Sequence, residues 1–168
     1  MIHVDQNERR YMMLTIALLV VFGIALTVGS VAYGIQLVRP ERQVNPALIT
    51  TPGAYPEYDG FAMPVEERVL ELAPGQYAAY IIGYATKGWK FEPNEVRIPA
   101  GSEVTFYVTS GDVIHGFMVQ NTNINMMVIP GQISKLTATF DEPGIYNFIC
   151  HEYCGVAHHT MYGRIIVE

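Results

Sequence analysis

Two different spacings of apolar side chains divide this chain. From Tyr11 to Val38 no charged residue occurs, with Arg9 and Arg10 before the run and Arg39 after it. This pattern predicts a single transmembrane helix over 11–38, preceded by an N-terminal tail at 1–10. At ~1.5 Å per residue such a helix extends roughly 42 Å, enough to cross a hydrocarbon core of ~30 Å even when tilted. Ser30-Val31-Ala32 resembles a cleavage site, but the apolar run ahead of it exceeds the ~7 to 15 residues of a signal peptide, so a retained anchor is expected. Arginines on both sides leave the orientation unsettled by charge.

Residues 39–70 carry prolines at 40, 46, 52, 56 and 64, with Gly53 and Gly60 and no sustained apolar period, and read as an extended linker. Beyond it the period becomes two. Val104, Phe106 and Val108 alternate with Glu103, Thr105, Tyr107 and Thr109, and Leu136, Ala138 and Phe140 with Lys135, Thr137 and Thr139. Each is a strand with one buried face. Further strands are expected near 76–84, 95–99, 116–119, 124–128, 145–149 and 163–167. Pro99-Ala100-Gly101, Pro130-Gly131 and Pro143-Gly144 supply turns. Residues 71–168 therefore read as an all-β domain, a sandwich or Greek-key barrel.

Composition narrows the partners. After Pro40 the chain has seven Lys and Arg against fourteen Asp and Glu. An acidic domain is a poor match for nucleic acid and a better one for a basic protein, although mild acidity also serves solubility.

The candidate chemistry is concentrated in one stretch, Cys150-His151-Glu152-Tyr153-Cys154-Gly155-Val156-Ala157-His158-His159-Thr160-Met161, which holds both cysteines of the chain. Thiolate, imidazole and thioether together are ligands for soft metals, copper above all. A second histidine is needed, and His115 in Asp112-Val113-Ile114-His115-Gly116-Phe117 is the candidate. Two thiolates can each bridge a pair of copper ions, which would make the centre dinuclear. Three other readings stand beside this one: a helix aligning the donors on one face, a Cys150–Cys154 disulfide, and a tetrahedral zinc on His115, Cys150, Cys154 and His158. Zinc would leave Met161 without a role. The flanking strand-like runs and Gly155 favour a loop between two strands over a helix.

The pattern Cys-x-Glu-x-Cys-Gly-x-x-His-x-x-Met, preceded by Asp112 through Phe117, resembles the CuA motif of subunit II of the haem-copper cytochrome c oxidases. The short anchor, the linker and the segment from Asn121 to Gly131 resemble the B-type members with one transmembrane helix. The resemblance implies a cupredoxin-like Greek-key β-sandwich on a single N-terminal membrane helix. It implies two copper ions with His115, Cys150, Cys154, His158 and Met161 as side-chain ligands and Glu152 as a carbonyl ligand. In oxidases with glutamate at this position the carboxylate can bind magnesium at the subunit I interface. B-type relatives need not have that site. The implied role is to accept electrons from cytochrome c and pass them to the haem of subunit I, on the outer side of a prokaryotic plasma membrane. Two rivals are the copper domain of a nitrous oxide reductase, for whose catalytic propeller 168 residues leave no room, and a membrane-tethered copper or zinc delivery module.

Trp89, the only tryptophan, sits where the family places an aromatic at the cytochrome c docking surface. It is expected either there, exposed, or in the core. His151 and His159 read as solvated or interface histidines, Met118, Met126 and Met127 as apolar filling, and His3 has no partner in sequence.

Overall fold

The computed structural model describes residues 5–35 and 37–168, so His3 lies outside the described residues. The chain forms two compact units, residues 1–36 and 37–168.

In the first unit a single helix, α1, runs over Gln6–Ala32. The Asp5 side chain caps it, accepting a hydrogen bond from the Asn7 N–H at 2.8 Å. Its 27 residues span ~40 Å, with a mean hydropathy of 2.5 over the most apolar window, so it is long and apolar enough to cross a membrane. The helix starts five residues earlier and stops six residues earlier than the uncharged run. Gly34 adopts φ +59°, the Gly34 N–H reaches the Val31 carbonyl at 3.2 Å, and the Ile35 N–H reaches that of Ser30 at 3.0 Å. That left-handed cap ends the helix although the sequence stays uncharged through Val38.

The second unit is a two-sheet sandwich. Its strands are β1 (Arg39–Gln43), β2 (Val69–Ala73), β3 (Gln76–Tyr84), β4 (Lys90–Glu92), β5 (Glu95–Ile98), β6 (Ser102–Ser110), β7 (His115–Val119), β8 (Asn125–Val128), β9 (Gln132–Phe140), β10 (Gly144–Ile149) and β11 (Tyr162–Val167). One sheet has the order β1-β9-β6-β3-β2, with β4 also paired to β3; the other has the order β5-β11-β10-β7-β8. β3 with β6 and β5 with β11 are parallel, and the remaining pairs are antiparallel. The expected cupredoxin-like sandwich is thus present, with every strand read from the sequence and three more, β1, β2 and β4.

Alternation accounts for the core. Val104, Phe106 and Val108 of β6 point inward and are fully buried. They meet a cluster of rings in which Phe117 lies 4.9 Å from Phe148 and 5.6 Å from Phe91, centroid to centroid. This aromatic floor supports one end of the sandwich, where β7 begins and β10 ends.

The stretch 39–70 is not the extended linker that its prolines suggested. Its start is β1, paired to β9, and its middle folds back as short 3-10 turns over Pro56–Ala62. Val44, Ile49, Tyr58 and Phe61 are buried with Ala78, Tyr80, Ile82, Tyr84 and Ile133 in a second apolar cluster. Tyr80 stacks on Tyr107 at 5.0 Å and meets Phe61 edge-on at 5.1 Å. Covering the outer face of β3 is more favourable than leaving these rings in water, since full burial of one large side chain is worth ~1.5–3 kcal/mol.

Candidate metal centre

Each donor singled out in the sequence stands at the end of a strand or in the turn between two. His115 opens β7, Cys150 follows β10, and Met161 precedes β11. The loop 150–161 is closed by a backbone hydrogen bond from the Cys150 N–H to the Met161 carbonyl at 3.0 Å, and a 3-10 turn over His158–Thr160 presents His158. A loop therefore carries the donors, not a helix. His115, Met161, Cys150 and Cys154 are 0%, 2%, 6% and 7% exposed, and His158 is half-buried.

The donor atoms converge. The two sulfurs lie 3.7 Å apart with both cysteines free. Cys150 Sγ is 3.9 Å from His115 Nδ1 and 3.2 Å from the Glu152 carbonyl oxygen. Cys154 Sγ is 3.5 Å from His158 Nδ1 and 3.8 Å from Met161 Sδ. The ligand atoms of His115, Cys150 and Cys154 all fall within 4.8 Å of one another. A tetrahedral zinc would use four donors, and this pocket offers six, two of them the thioether and carbonyl that suit weak axial positions at copper. The residues fit a copper site.

Electrostatics argue against a nucleophilic role for Cys154. Burial, and then the neighbouring Cys150, push the Cys154 thiol up to about 12. A cysteine nucleophile needs the opposite shift. Such a thiol gives up its proton to a bound cation, which is how a metal site couples to its ligands.

Asp112, to which the sequence pattern assigns no role beyond membership of the His115 motif, organises the first histidine. One carboxylate oxygen accepts hydrogen bonds from the Ala85 N–H at 2.8 Å, the Thr86 N–H at 2.7 Å and the Thr86 hydroxyl at 2.8 Å. The other accepts from the Val113 N–H at 2.7 Å and faces His115 Nε2 at 3.0 Å. Burial opposes its ionisation, but these donors outweigh it and hold the carboxyl at about 2. An ionised carboxylate only accepts, so His115 carries its proton on Nε2, and Nδ1 turns a lone pair toward Cys150. Burial lowers the His115 pKa against the pull of Asp112, which keeps the ring neutral and able to ligate. The signal available in sequence is an aspartate three residues before a candidate ligand.

Two glycines make room. A Cβ on Gly83 would stand 2.9 Å from His115 Cδ2 and 3.4 Å from Met161 Cε; one on Gly155 would stand 3.0 Å from Trp89 Nε1. Trp89 is half-buried, between the two positions expected of it. It packs against the main core and its indole N–H donates to the Cys154 carbonyl at 3.2 Å. The turn that presents it uses two successive left-handed residues, Gly88 at φ +95° and Trp89 at φ +50°. Positive φ is uncommon for a bulky side chain. Elsewhere on the ligand loop, Tyr153 and Val156 are 79% and 80% exposed. The Glu152 side chain is 41% exposed, with Oε1 3.5 Å from His151 Nδ1. His151 is also held by a hydrogen bond to Asn125. Met126 is buried in the core, as expected of apolar filling, while Met127 is exposed.

Known proteins resemble this chain over most of its length. Residues 89–168 match the family model described as cytochrome c oxidase subunit II, periplasmic domain. A cytochrome c oxidase subunit 2 of Thermus thermophilus is 34% identical over 163 residues, 96% of this chain and 91% of that one. A second subunit 2 from the same species is 43% identical over 102 residues, covering 61% of this chain and 73% of the relative. A chain in the cryo-EM structure of a heme-copper terminal oxidase dimer superposes with a TM-score of 0.72 at 31% identity, covering 97% of this chain and all of that one.

Proposed function

The chain belongs to the cytochrome c oxidase subunit II family, a component of an oxidoreductase complex, and from that premise we propose that it accepts electrons from cytochrome c at a dinuclear copper centre and hands them to the haem of subunit I. The observation that carries the proposal is the placement of two thiol sulfurs 3.7 Å apart, with one imidazole Nδ1 beside each. His115, Cys150, Cys154, His158 and Met161 would hold the metals by side chain, and Glu152 by its carbonyl. A copper pair bound there supplies a one-electron store shared between two metals.

The protein's own part is to keep the donors still. Cys150 and Met161 are tied by a backbone hydrogen bond, His115 by Asp112, and Cys154 by the indole of Trp89. Little movement is then needed when charge changes, which favours fast transfer. The burial of His115, Cys150, Cys154 and Met161 supports electron transfer over metal delivery, because a delivery site must release its cargo.

The half-buried Trp89 supports a path for incoming electrons, from its ring through its N–H to the Cys154 carbonyl. The exposed Tyr153 and Val156 of the ligand loop offer cytochrome c an apolar contact on an otherwise acidic domain. The Glu152 carboxylate, being partly exposed, is available to a hard cation such as magnesium at the subunit I interface. Helix α1 would anchor the chain in a prokaryotic plasma membrane with the copper domain on the outer side.

Metal analysis and visible and electron paramagnetic resonance spectra test the reading. Two coppers per chain and a signal from one electron shared over both are expected. One colourless zinc per chain would overturn it.

A further inference from the structure

Four of the proposed ligand side chains, those of His115, Cys150, Cys154 and Met161, are nearly inaccessible to solvent, so a copper ion must have a way in to them. We propose that a cleft beside the ligand loop is that way and that His159 at its mouth is the first ligand to take hold of incoming copper. The inference rests on the copper reading above and adds to it a residue that is not among the final ligands.

Three observations support it. The cleft, about 430 Å³ in volume, is lined by Cys150, His158 and Met161 together with His159, Asn147 and Tyr162, so it joins final donors to the surface. The loop is closed where Trp89 covers it, because the indole lies against Gly155 and is hydrogen-bonded to the Cys154 carbonyl. The two described histidines without a ligand role also differ in kind. His151 is engaged: it bonds to Asn125 and its ring packs over Gly116, where a Cβ would collide with it. His159 is exposed, and among the described residues none forms a hydrogen bond or ion pair with its side chain.

The chemistry is ligand exchange without a change of oxidation state. Cu(I) arriving on a carrier binds the His159 imidazole, a suitable copper ligand, as one carrier ligand leaves. It then passes to the adjacent His158 and Met161 and on to a thiol of Cys150 or Cys154. The S–H bond breaks as the Cu–S bond forms, and the proton goes to water through the cleft. At no point does the ion have to shed all its ligands at once, which is the costly step for a metal entering a buried site.

Full-length protein in detergent, with its thiols reduced and oxygen excluded, is given Cu(I) bound to a coloured chelator, and colour loss reports transfer. His159→Ala should slow uptake by roughly tenfold, the scale on which outer partners of metal sites act, while reaching the same final copper content and, after one-electron oxidation, the same spectrum. His159→Met, which restores a soft ligand, should bring the rate back to within about twofold, and His151→Ala should load like the natural protein. Equal rates for the natural protein and His159→Ala would overturn the capture role and leave the copper reading standing. A changed final spectrum in His159→Ala would overturn it too, by making His159 part of the finished site. A natural protein that takes up no copper would overturn both.

Discussion

Replacing Asp112 with asparagine should reverse the proton on the proposed ligand His115 while keeping the side chain's shape. If the amide oxygen faces the three donors of Ala85 and Thr86, the amide nitrogen meets the Val113 N–H and His115 Nε2. An amide N–H donating to Nε2 moves the ring proton to Nδ1, the atom that faces Cys150. Copper would then have to displace it. Outer partners of this kind are worth ~10- to 100-fold in metal affinity, and a loss in that range is expected. The stability cost follows from the carboxyl being held at about 2 where its ordinary value is 3.8. That gap corresponds to ~2.4 kcal/mol of preference for the ionised form, and screening by nearby solvent reduces it to ~1–2 kcal/mol. A depressed acid pKa stabilises the fold above pH ~4 and ceases to do so as pH falls toward 2, so the comparison belongs at pH 7. Urea melts of the metal-free protein, copper competition against a chelator, and nitrogen NMR of the imidazole give the three readouts. Unchanged copper affinity with the proton still on Nε2 would refute the reasoning.

Met161→Leu should keep the copper pair and shift its reduction potential, whereas His158→Ala should lose copper, as metal analysis and redox titration would reveal; equal and complete metal loss in both would deny Met161 a weak axial role. Gly83→Ala brings a methyl group within 2.9 Å of the His115 ring, which is fully buried and has nowhere to go. It should lower copper affinity in competition titrations by more than it lowers the urea midpoint of the metal-free protein, and the reverse ranking would mean that the ring yields easily. Trp89→Phe keeps a ring but removes the donor to the Cys154 carbonyl, so it should cost ~1 kcal/mol and slow reduction by cytochrome c in stopped flow. Trp89→Ala should cost ~1–3 kcal/mol, below the ~3–5 kcal/mol of a fully buried ring, and slow reduction further.

The proposed centre stands out in sequence because its chemistry is compressed: five of the six candidate donor residues lie between Cys150 and Met161, and soft ligands at that density have few other uses. His115 lies far away along the chain but adjoins a strand-like run. Asp112 escapes notice because an aspartate in a turn has an ordinary explanation, and only the folded arrangement shows its oxygens gathering the Ala85–Thr86 turn and a histidine ring together. Trp89 resists assignment to surface or core because both descriptions fit part of it. The segment 39–70 misleads for a related reason. Val44, Ile49, Tyr58 and Phe61 are buried by irregular backbone, which imposes no period on the sequence, so their apolar character has no rhythm to reveal it.

That wrapped segment limits how freely the domain could be moved between proteins. A gene fusion that joined the sandwich at residue 71, where its regular alternation begins, would discard the cover over Tyr80, Ile82 and Ile133 along with strand β1. The transplanted piece would retain every proposed copper donor and still present an apolar sheet face and a fresh edge strand, both invitations to aggregate. The compact unit that would have to move whole is therefore residues 37–168, and a junction that divides it leaves the candidate metal site on a sticky fragment.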